Sequence, residues 1–384
     1  MNPQPLYDLS PLARLMLVGL ALAMGPLVWV WIRNRGAAPV KRLHALTLIT
    51  LFLTFDLVLF GAFTRLTDSG LGCPDWPGCY GNASPIGAHA DIAQAQSALP
   101  SGPVTRGKAW IEMIHRYLAT GVGVLILVIA VSSWLAPGRK KSDNYLSPWW
   151  ATATLIWVCI QGAFGALTVT MKLFPAIVTL HLTGALALLA LLCVQVVQHS
   201  QRERPTVLPA TSRAARVLLW VTFAALLLQI MLGGWVSTNY AVLACNEFPR
   251  CQGSWWPDMN FEQGFQIWRK LGLTAQGEHI AFAALTAIHY VHRMMAAVVL
   301  VLLGVLAWVL NRDKTMRAPS RWIASLGGLQ LATGLSNVVL DWPLAAALLH
   351  TGGAAALVVV LTWAACLSRA KNTAEHLTVS RLHA

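Results

Sequence analysis

Nine apolar runs of about 20 residues dominate this 384-residue chain and constrain its fold. A helix of that length crosses a bilayer core roughly 30 Å thick, because a helix rises 1.5 Å per residue. Charged residues make up 11% of the chain, far below the roughly 25% of a soluble domain. The sequence therefore predicts an all-α, polytopic membrane protein. The runs are 12–32, 43–63, 110–135, 149–171, 176–197, 217–236, 280–310, 322–340 and 344–367.

The basic residues predict which side of the membrane each loop occupies. A net charge of +13 would suggest nucleic acid in a soluble protein, but here Lys and Arg cluster in alternate loops and at the C-terminus. Such clusters stay in the cytoplasm. We therefore predict a multi-pass protein of the cell inner membrane with a periplasmic N-terminus, a cytoplasmic C-terminus, lipid as a partner and no nucleic-acid partner. The predicted outer loops are 64–109, 172–175, 237–279 and 341–343.

The first apolar run has two interpretations, a cleaved signal peptide or a retained helix. Arg14 is the only basic residue near its start, no small-residue cleavage site follows, and its basic cluster lies on the C-terminal side. These features do not fit a signal peptide. We expect an additional N-terminal transmembrane helix, which forms segment 1–42 together with a basic cytoplasmic loop.

The rest of the chain repeats a set of motifs, which indicates an internal duplication. Each half has a glycine 12 residues before a C-x2-[WF]-P-x-C loop, then a His-Arg pair, then a glutamine 20 residues before a histidine, with a proline before that histidine. The residues are Gly61, Cys73, Cys79, His115, Gln161, Pro175 and His181, and then Gly233, Cys245, Cys251, His292, Gln330, Pro343 and His350.

The duplication predicts two pseudo-symmetric four-helix transmembrane bundles, about nine helices in all with the additional one. The bundles are parallel, because four helices separate the copies. The predicted units are the N-terminal bundle 43–198, a cytoplasmic linker 199–212, the C-terminal bundle 213–368 and a cytoplasmic tail 369–384.

Each predicted bundle carries one histidine on its second helix and one on its fourth. His115, His181 and His350 lie about six or seven residues inside the outer helix ends, roughly 9–10 Å deep. His292 fits less well, 12 residues past Ile280. Paired imidazoles at one depth suit axial ligation of a heme iron, so we predict two heme sites.

A structural role is the alternative interpretation of these histidines. A single intramembrane histidine is often a structural hydrogen-bonding residue, but four in two duplicated pairs favour ligation. His289 shares a helix face with His292 and competes with it, although the duplication aligns His292 with His115. We interpret the remaining six as bystanders: His44, His89, His199, His279, His376 and His383.

Glu112 breaks the symmetry, since it holds the E-x-x-H-R position that His289 occupies in the second half. Its carboxylate lies on the same helix side as His115 and is costly in an apolar bundle unless it is used. We predict that Glu112 is catalytic and transfers protons beside a bound porphyrin; the alternative is a structural partner of Arg116. Asp56 has no motif around it, and structural hydrogen bonding explains it equally well.

Four cations lie at or near the outer helix ends, where anionic heme propionates would sit: Arg65, Arg116, Lys172 and Arg293. Charge-assisted bonds to propionates are one interpretation, and interfacial snorkelling is the other. The loop cysteines lie on the outer side, where oxidation is permitted, and C-x5-C lacks the spacing of zinc modules. We predict disulfides Cys73–Cys79 and Cys245–Cys251.

Three stretches resemble the heme A synthases: residues 61–79, the Glu112-x-x-His115-Arg116 motif, and residues 168–181. The resemblance extends over about residues 43–368. It implies an oxidoreductase that converts the C8 methyl of heme O to a formyl group, giving heme A for terminal oxidase assembly. The additional first helix departs from the family's pattern.

The resemblance also assigns roles to the two bundles. It implies that heme O binds as substrate in the N-terminal bundle, with Glu112, His115 and His181, and that heme b binds as cofactor in the C-terminal bundle, with His292 and His350. Expected partners are heme O, heme A, heme O synthase, cytochrome oxidase assembly proteins and an electron donor that no motif identifies.

Two other functions remain open at this point. A diheme b-type electron-transfer protein linked to quinone would share the four histidines but gives no reason for Glu112. A transporter that uses the duplication for alternating access would require broken helices and a polar midplane, and neither is visible in the sequence.

Overall fold

The computed structural model describes residues 10–136, 146–203 and 211–368. These ranges contain α-helices and no β-strand. Nine helices are long, and two short ones, α3 and α8, lie in outer loops. The helices are α1 Ser10–Arg33, α2 Pro39–Leu66, α3 His89–Ala98, α4 Arg106–Leu135, α5 Pro148–Thr170, α6 Pro175–Glu203, α7 Arg213–Thr238, α8 Phe261–Gly264, α9 Phe282–Leu310, α10 Arg317–Val339 and α11 Leu344–Ser368.

Each long helix lies over one of the nine predicted apolar runs. Within the described residues, eight helices are long and apolar enough to cross a membrane, and α10 is the long helix that falls short. The part of α10 after Arg321 has no charge but contains Gln330 and Asn337, and these polar residues lower its hydropathy. Nevertheless α10 packs along both α9 and α11, so it runs beside helices that do qualify. The prediction of an all-α, multi-pass membrane protein is confirmed.

The helix ends follow from local sequence. Pro39, Pro148 and Pro175 each stand at the first position of a helix, where the missing N–H of proline costs nothing. Thr105 caps α4, since its hydroxyl accepts a hydrogen bond from the Lys108 amide at 3.3 Å. These signals place the outer ends of α4 and α6 and thereby set the depth of the histidines they carry.

The eight helices after α1 form two rings of four. In the first ring α2 and α5 each contact α4 and α6, and in the second α7 and α10 each contact α9 and α11. The rings meet through three helix pairs, α6 with α7, α2 with α11, and α6 with α11. If each helix of the first ring is exchanged with its equivalent in the second, the same three helix pairs result. The rings are therefore related by a pseudo-two-fold axis between α6 and α11. Helix α1 lies outside the first ring, against α4 and α2.

The duplication extends to the backbone of the connecting turns. Residues in the left-handed region recur at equivalent positions: Asp68 and Tyr240, Tyr80 and Gln252, Lys172 and Asp341, Leu173 and Trp342. The loop peptides Trp76-Pro77 and Phe248-Pro249 are both cis. The cysteine-bearing parts of the two outer loops therefore share their left-handed positions as well as one cysteine motif.

The main apolar core lies between the two rings and toward their inner ends. Its members are fully buried aliphatic residues such as Leu189, Leu192, Leu219, Leu357 and Leu361. Close packing of this kind holds helices together within a bilayer. The outer third of each ring contributes little to this core, and that is where the four histidines lie.

Candidate heme sites

The structure places the four predicted ligands on equivalent helices, α4 and α6 in the first ring and α9 and α11 in the second. His115 is nine residues after the start of α4, and His292 is ten residues after the start of α9. Because α9 begins at Phe282, the mismatch in depth expected from the sequence shrinks to one residue. His181 follows the start of α6 by six residues, and His350 follows that of α11 by six. Within each four-helix ring, the two histidine side chains are close enough to interact electrostatically.

Each histidine faces a glycine on a neighbouring helix of its ring. A methyl group added at Gly61 would lie 3.0 Å from Nε2 of His115, and one added at Gly233 would lie 2.9 Å from Cε1 of His292. The corresponding distances are 3.5 Å from Gly165 to His181 and 3.4 Å from Gly334 to His350. The absence of a side chain at these glycines lets each imidazole pack closely against the neighbouring helix.

This arrangement fits a heme in each ring. Two neutral nitrogen donors on opposite helices are the ligand set for a bis-histidine iron porphyrin, and each imidazole packs against a glycine of a neighbouring helix. All four histidines are partly exposed. Within the described residues no cluster of three or more His, Cys, Asp or Glu that could hold a metal ion is found, which is consistent with iron carried by a porphyrin.

His289 is less available as a ligand than His292. It is only 4% exposed, and its Nε2 lies 3.3 Å from Nε of Arg293, which donates to it. Arginine stays protonated and cannot act as an acceptor, so this contact occupies the nitrogen lone pair of His289. The geometry therefore favours His292, the choice made from the duplication.

Glu112 binds the outer loop of its own ring. It is 3% exposed, and its two oxygens accept hydrogen bonds from Arg116 at 2.5 Å and from the Cys73 amide at 2.8 Å. Arg116 in turn donates to the carbonyl oxygens of Asp75, Pro77 and Gly78. The pair thus holds the disulfide loop on α4, one helical turn from His115. Two charged or amide donors suit an ionised carboxylate.

Arg293 holds the outer loop of the second ring in the same way, although His289 stands there at the position of Glu112. Its guanidinium donates to the carbonyl oxygens of Cys245, Glu247 and Arg250 at 2.6–3.2 Å. Arg116 and Arg293 therefore each donate to three loop carbonyl oxygens. Both arginines hold their outer loops, and their binding to heme propionates stays a prediction.

The other two outer cations differ from each other in their surroundings. Arg65 donates to Asp68 and to the Ser237 carbonyl oxygen, and it stacks 4.2 Å from the centre of the Tyr240 ring. Because Tyr240 follows α7, this contact joins the two rings at their outer ends. Lys172 is exposed in the turn between α5 and α6. The equivalent position in the second ring is Asp341, of opposite charge.

Both predicted disulfides are present, and their cysteines are fully buried under the outer loops.

The bystander His44 stacks on His199 at the inner ends of α2 and α6, 5.7 Å between ring centres, and its Nδ1 contacts Glu203. Neither ring lies near a predicted heme site. Asp56 is on the exposed side of α2. His376 and His383 lie outside the described residues.

The chain is similar to known proteins over most of its length. The family model named COX15-CtaA, cytochrome oxidase assembly protein, matches residues 44–362. The chain belongs to this family. A heme A synthase of Shewanella oneidensis is 38% identical over 324 residues, which are 82% of this chain and 92% of that protein. Heme A synthases of Alkalihalophilus pseudofirmus and Rhizorhabdus wittichii are each 26% identical, over 81% and 86% of this chain and 92% and 96% of their own lengths.

The family model begins after α1, so this helix lies outside the part that the COX15-CtaA model matches. From the sequence, Gly61 and Gly233 are recognised only as markers of the duplication. Their positions beside His115 and His292 are visible only in the structure. Gly165 and Gly334 were not recognised from the sequence, although each follows a duplicated glutamine by four residues. The repeated Q-x3-G spacing was the available signal.

Proposed function

We propose that this chain oxidises the C8 methyl of heme O to a formyl group and so produces heme A. The observation that carries the proposal is the pair of duplicated histidine sites, of which only one has a buried carboxylate beside it. A carrier of electrons alone has no use for that asymmetry. An enzyme that transforms one heme with the help of another requires it.

We assign the substrate to the N-terminal unit, residues 43–198, and a b-type heme to the C-terminal unit, residues 213–368. His115 and His181 would hold heme O, and Glu112 is the carboxylate nearest to this pair along α4. His292 and His350 would hold heme b, which supplies one-electron transfer when bound. Both sites lie toward the outer ends of the helices.

Glu112 is proposed as the proton acceptor during oxidation. Its position one turn from His115 supports this role, and its two hydrogen bonds fix the orientation of its carboxylate. An ionised carboxylate can take protons that the substrate loses. Arg116 orients Glu112 and keeps the disulfide loop over the site.

The cellular setting is proposed from charge and family. We place the chain in the inner membrane, with the disulfide loops periplasmic and the C-terminus cytoplasmic. Heme O synthase and cytochrome oxidase assembly proteins are the partners that would supply substrate and receive product. Lys172, exposed at the outer end of the N-terminal unit, is our candidate to bind a propionate of heme O.

Heme extraction from membranes that express the chain together with a source of heme O tests the reaction. We expect heme A from the wild type. His115→Ala and His181→Ala should abolish heme A and keep a b-type spectrum, whereas His292→Ala and His350→Ala should lose that spectrum. Equal spectral loss in all four variants, with heme O unconverted by the wild type, would identify a diheme electron carrier instead.

A double substitution separates the chemical role of Glu112 from its structural one. Glu112→Gln leaves Arg116 buried without its anion, and breaking such a pair costs about 3–5 kcal/mol. Glu112→Gln combined with Arg116→Met removes both charges and should recover much of that stability, measured by thermal unfolding in detergent. If heme A formation stays abolished in the double variant, Glu112 acts in proton transfer; if it returns, Glu112 is structural only.

A further inference from the structure

The two halves differ in what lies beside the histidine of their fourth helix. In the second ring, Oγ1 of Thr333 lies 3.0 Å from Nδ1 of His350 and 2.7 Å from the carbonyl oxygen of Leu329. A carbonyl oxygen only accepts, so the hydroxyl proton points to Leu329. Oγ1 is then the acceptor for an N–H at Nδ1 of His350, and the lone pair of the imidazole is left at Nε2.

The first ring lacks this hydrogen bond. The offset that relates His350 to His181 places Phe164 at the position of Thr333. Nδ1 of His181 is buried and has no hydrogen-bond partner in the described part of the chain. An imidazole without such a partner is held less firmly in orientation and is a weaker donor to a metal.

The second-helix histidines also differ in their polar neighbours. The side-chain amide nitrogen of Gln229 lies 3.1 Å from Nδ1 of His292 and donates to its carbonyl oxygen at 3.2 Å. The equivalent position in the first ring is Leu57, which offers no polar atom. Both histidines of the second ring therefore have a polar neighbour that the first ring replaces with an apolar one.

We propose that Thr333 is a positioning residue that fixes His350 for permanent heme binding, and that Phe164, its counterpart, leaves His181 suited to a heme that must be released. This inference rests on the proposed function and deepens it. An enzyme whose product is itself a heme must release that heme while it retains its cofactor heme. A hydrogen bond that supports His350, with none at His181, meets both needs.

Thr333→Val tests the first half of the proposal, because valine keeps the shape and removes the hydroxyl. Thr362→Val in α11 is the matched control: both threonines are 6% exposed and both bond the carbonyl oxygen four residues back. We expect Thr333→Val to speed transfer of heme b from the purified protein to excess apomyoglobin by roughly 10–100-fold and to raise its midpoint potential. Thr333→Ser should restore both values, and Thr362→Val should change neither.

Wild-type transfer rate and potential in Thr333→Val would overturn the assignment of Thr333. The His350→Ala variant keeps this result distinct from failure of the proposed function. Loss of the b-type spectrum in His350→Ala together with unchanged Thr333→Val refutes only the positioning role. Retention of that spectrum in His350→Ala refutes the proposed ligand itself.

Phe164→Thr tests the second half. A hydroxyl in this place should accept from Nδ1 of His181, so we expect more heme O or heme A to copurify relative to heme b. An unchanged ratio in a variant that retains its b-type spectrum would show that release does not depend on this position.

Discussion

Replacing Gly233 with alanine tests whether the glycine beside His292 is required for heme binding. The added methyl would lie 2.9 Å from Cε1 of His292, whereas carbon atoms in contact sit about 3.5–4.0 Å apart. The imidazole must therefore retreat by roughly 0.6–1.1 Å. Overpacking of this kind costs about 1–3 kcal/mol, which corresponds to a loss of heme affinity of about 5-fold to 150-fold.

Helix stability should change in the opposite direction from heme binding. Alanine favours a helix interior over glycine by about 1 kcal/mol, so the loss of heme should not be accompanied by a less stable α7. The assay is the ratio of heme b to protein after purification, from the pyridine hemochrome spectrum, with helix content followed by circular dichroism.

Gly334→Ala provides the matched control in the same ring. Its methyl would lie 3.4 Å from Cε1 of His350, close to ordinary contact, and we expect nearly wild-type heme content. A Gly233→Ala protein with full heme content would refute the reasoning, because the imidazole would then not depend on the space that the glycine leaves. Equal losses in both variants would also refute it.

Three further outcomes are expected. Gly61→Ala should lower heme A formation at least tenfold, measured by heme extraction, while Gly165→Ala should have a smaller effect. The added methyl groups would lie 3.0 Å from His115 and 3.5 Å from His181, and the reverse order of effects would contradict the packing argument. Arg293→Gln should lower the unfolding free energy by about 1–3 kcal/mol with an unchanged heme b spectrum in thermal unfolding scans, and loss of the spectrum would instead place Arg293 at a propionate. Cysteines introduced at Ser254 and Asn311 should react with an impermeant maleimide only at Ser254, and labelling of Asn311 alone would reverse the topology.

The sequence alone was sufficient for the helices, because each depends on a local property. A run of about 20 apolar residues must be helical in a bilayer, where every backbone group needs an internal partner. Prolines at the first helical positions marked several helix ends. The duplication was also readable, since equal spacings between cysteines, histidines and glutamines survive in both copies. These features led to the family that the comparisons then confirmed.

The tertiary structure decided which side chains surround each histidine. Glu112 and Arg116 lie four residues apart in sequence, but their attachment to the loop of Cys73 depends on how that loop folds back over α4. The sequence did not reveal this role. It also did not reveal that the guanidinium groups of Arg116 and Arg293 donate to carbonyl oxygens of the outer loops. The close approach of Gly61 to His115 likewise depends on how α2 packs against α4.

The difference between the two rings also required the structure. Thr333 and Phe164 are ordinary residues of apolar helices, and their positions become informative only when α10 and α5 are seen beside His350 and His181. Helix formation depends on neighbours along the chain, whereas ligand orientation depends on which faces of two helices meet. The sequence therefore determined the helices, their duplication and the histidine pairs, and the packing of helices on one another decided which imidazoles are held by a hydrogen bond.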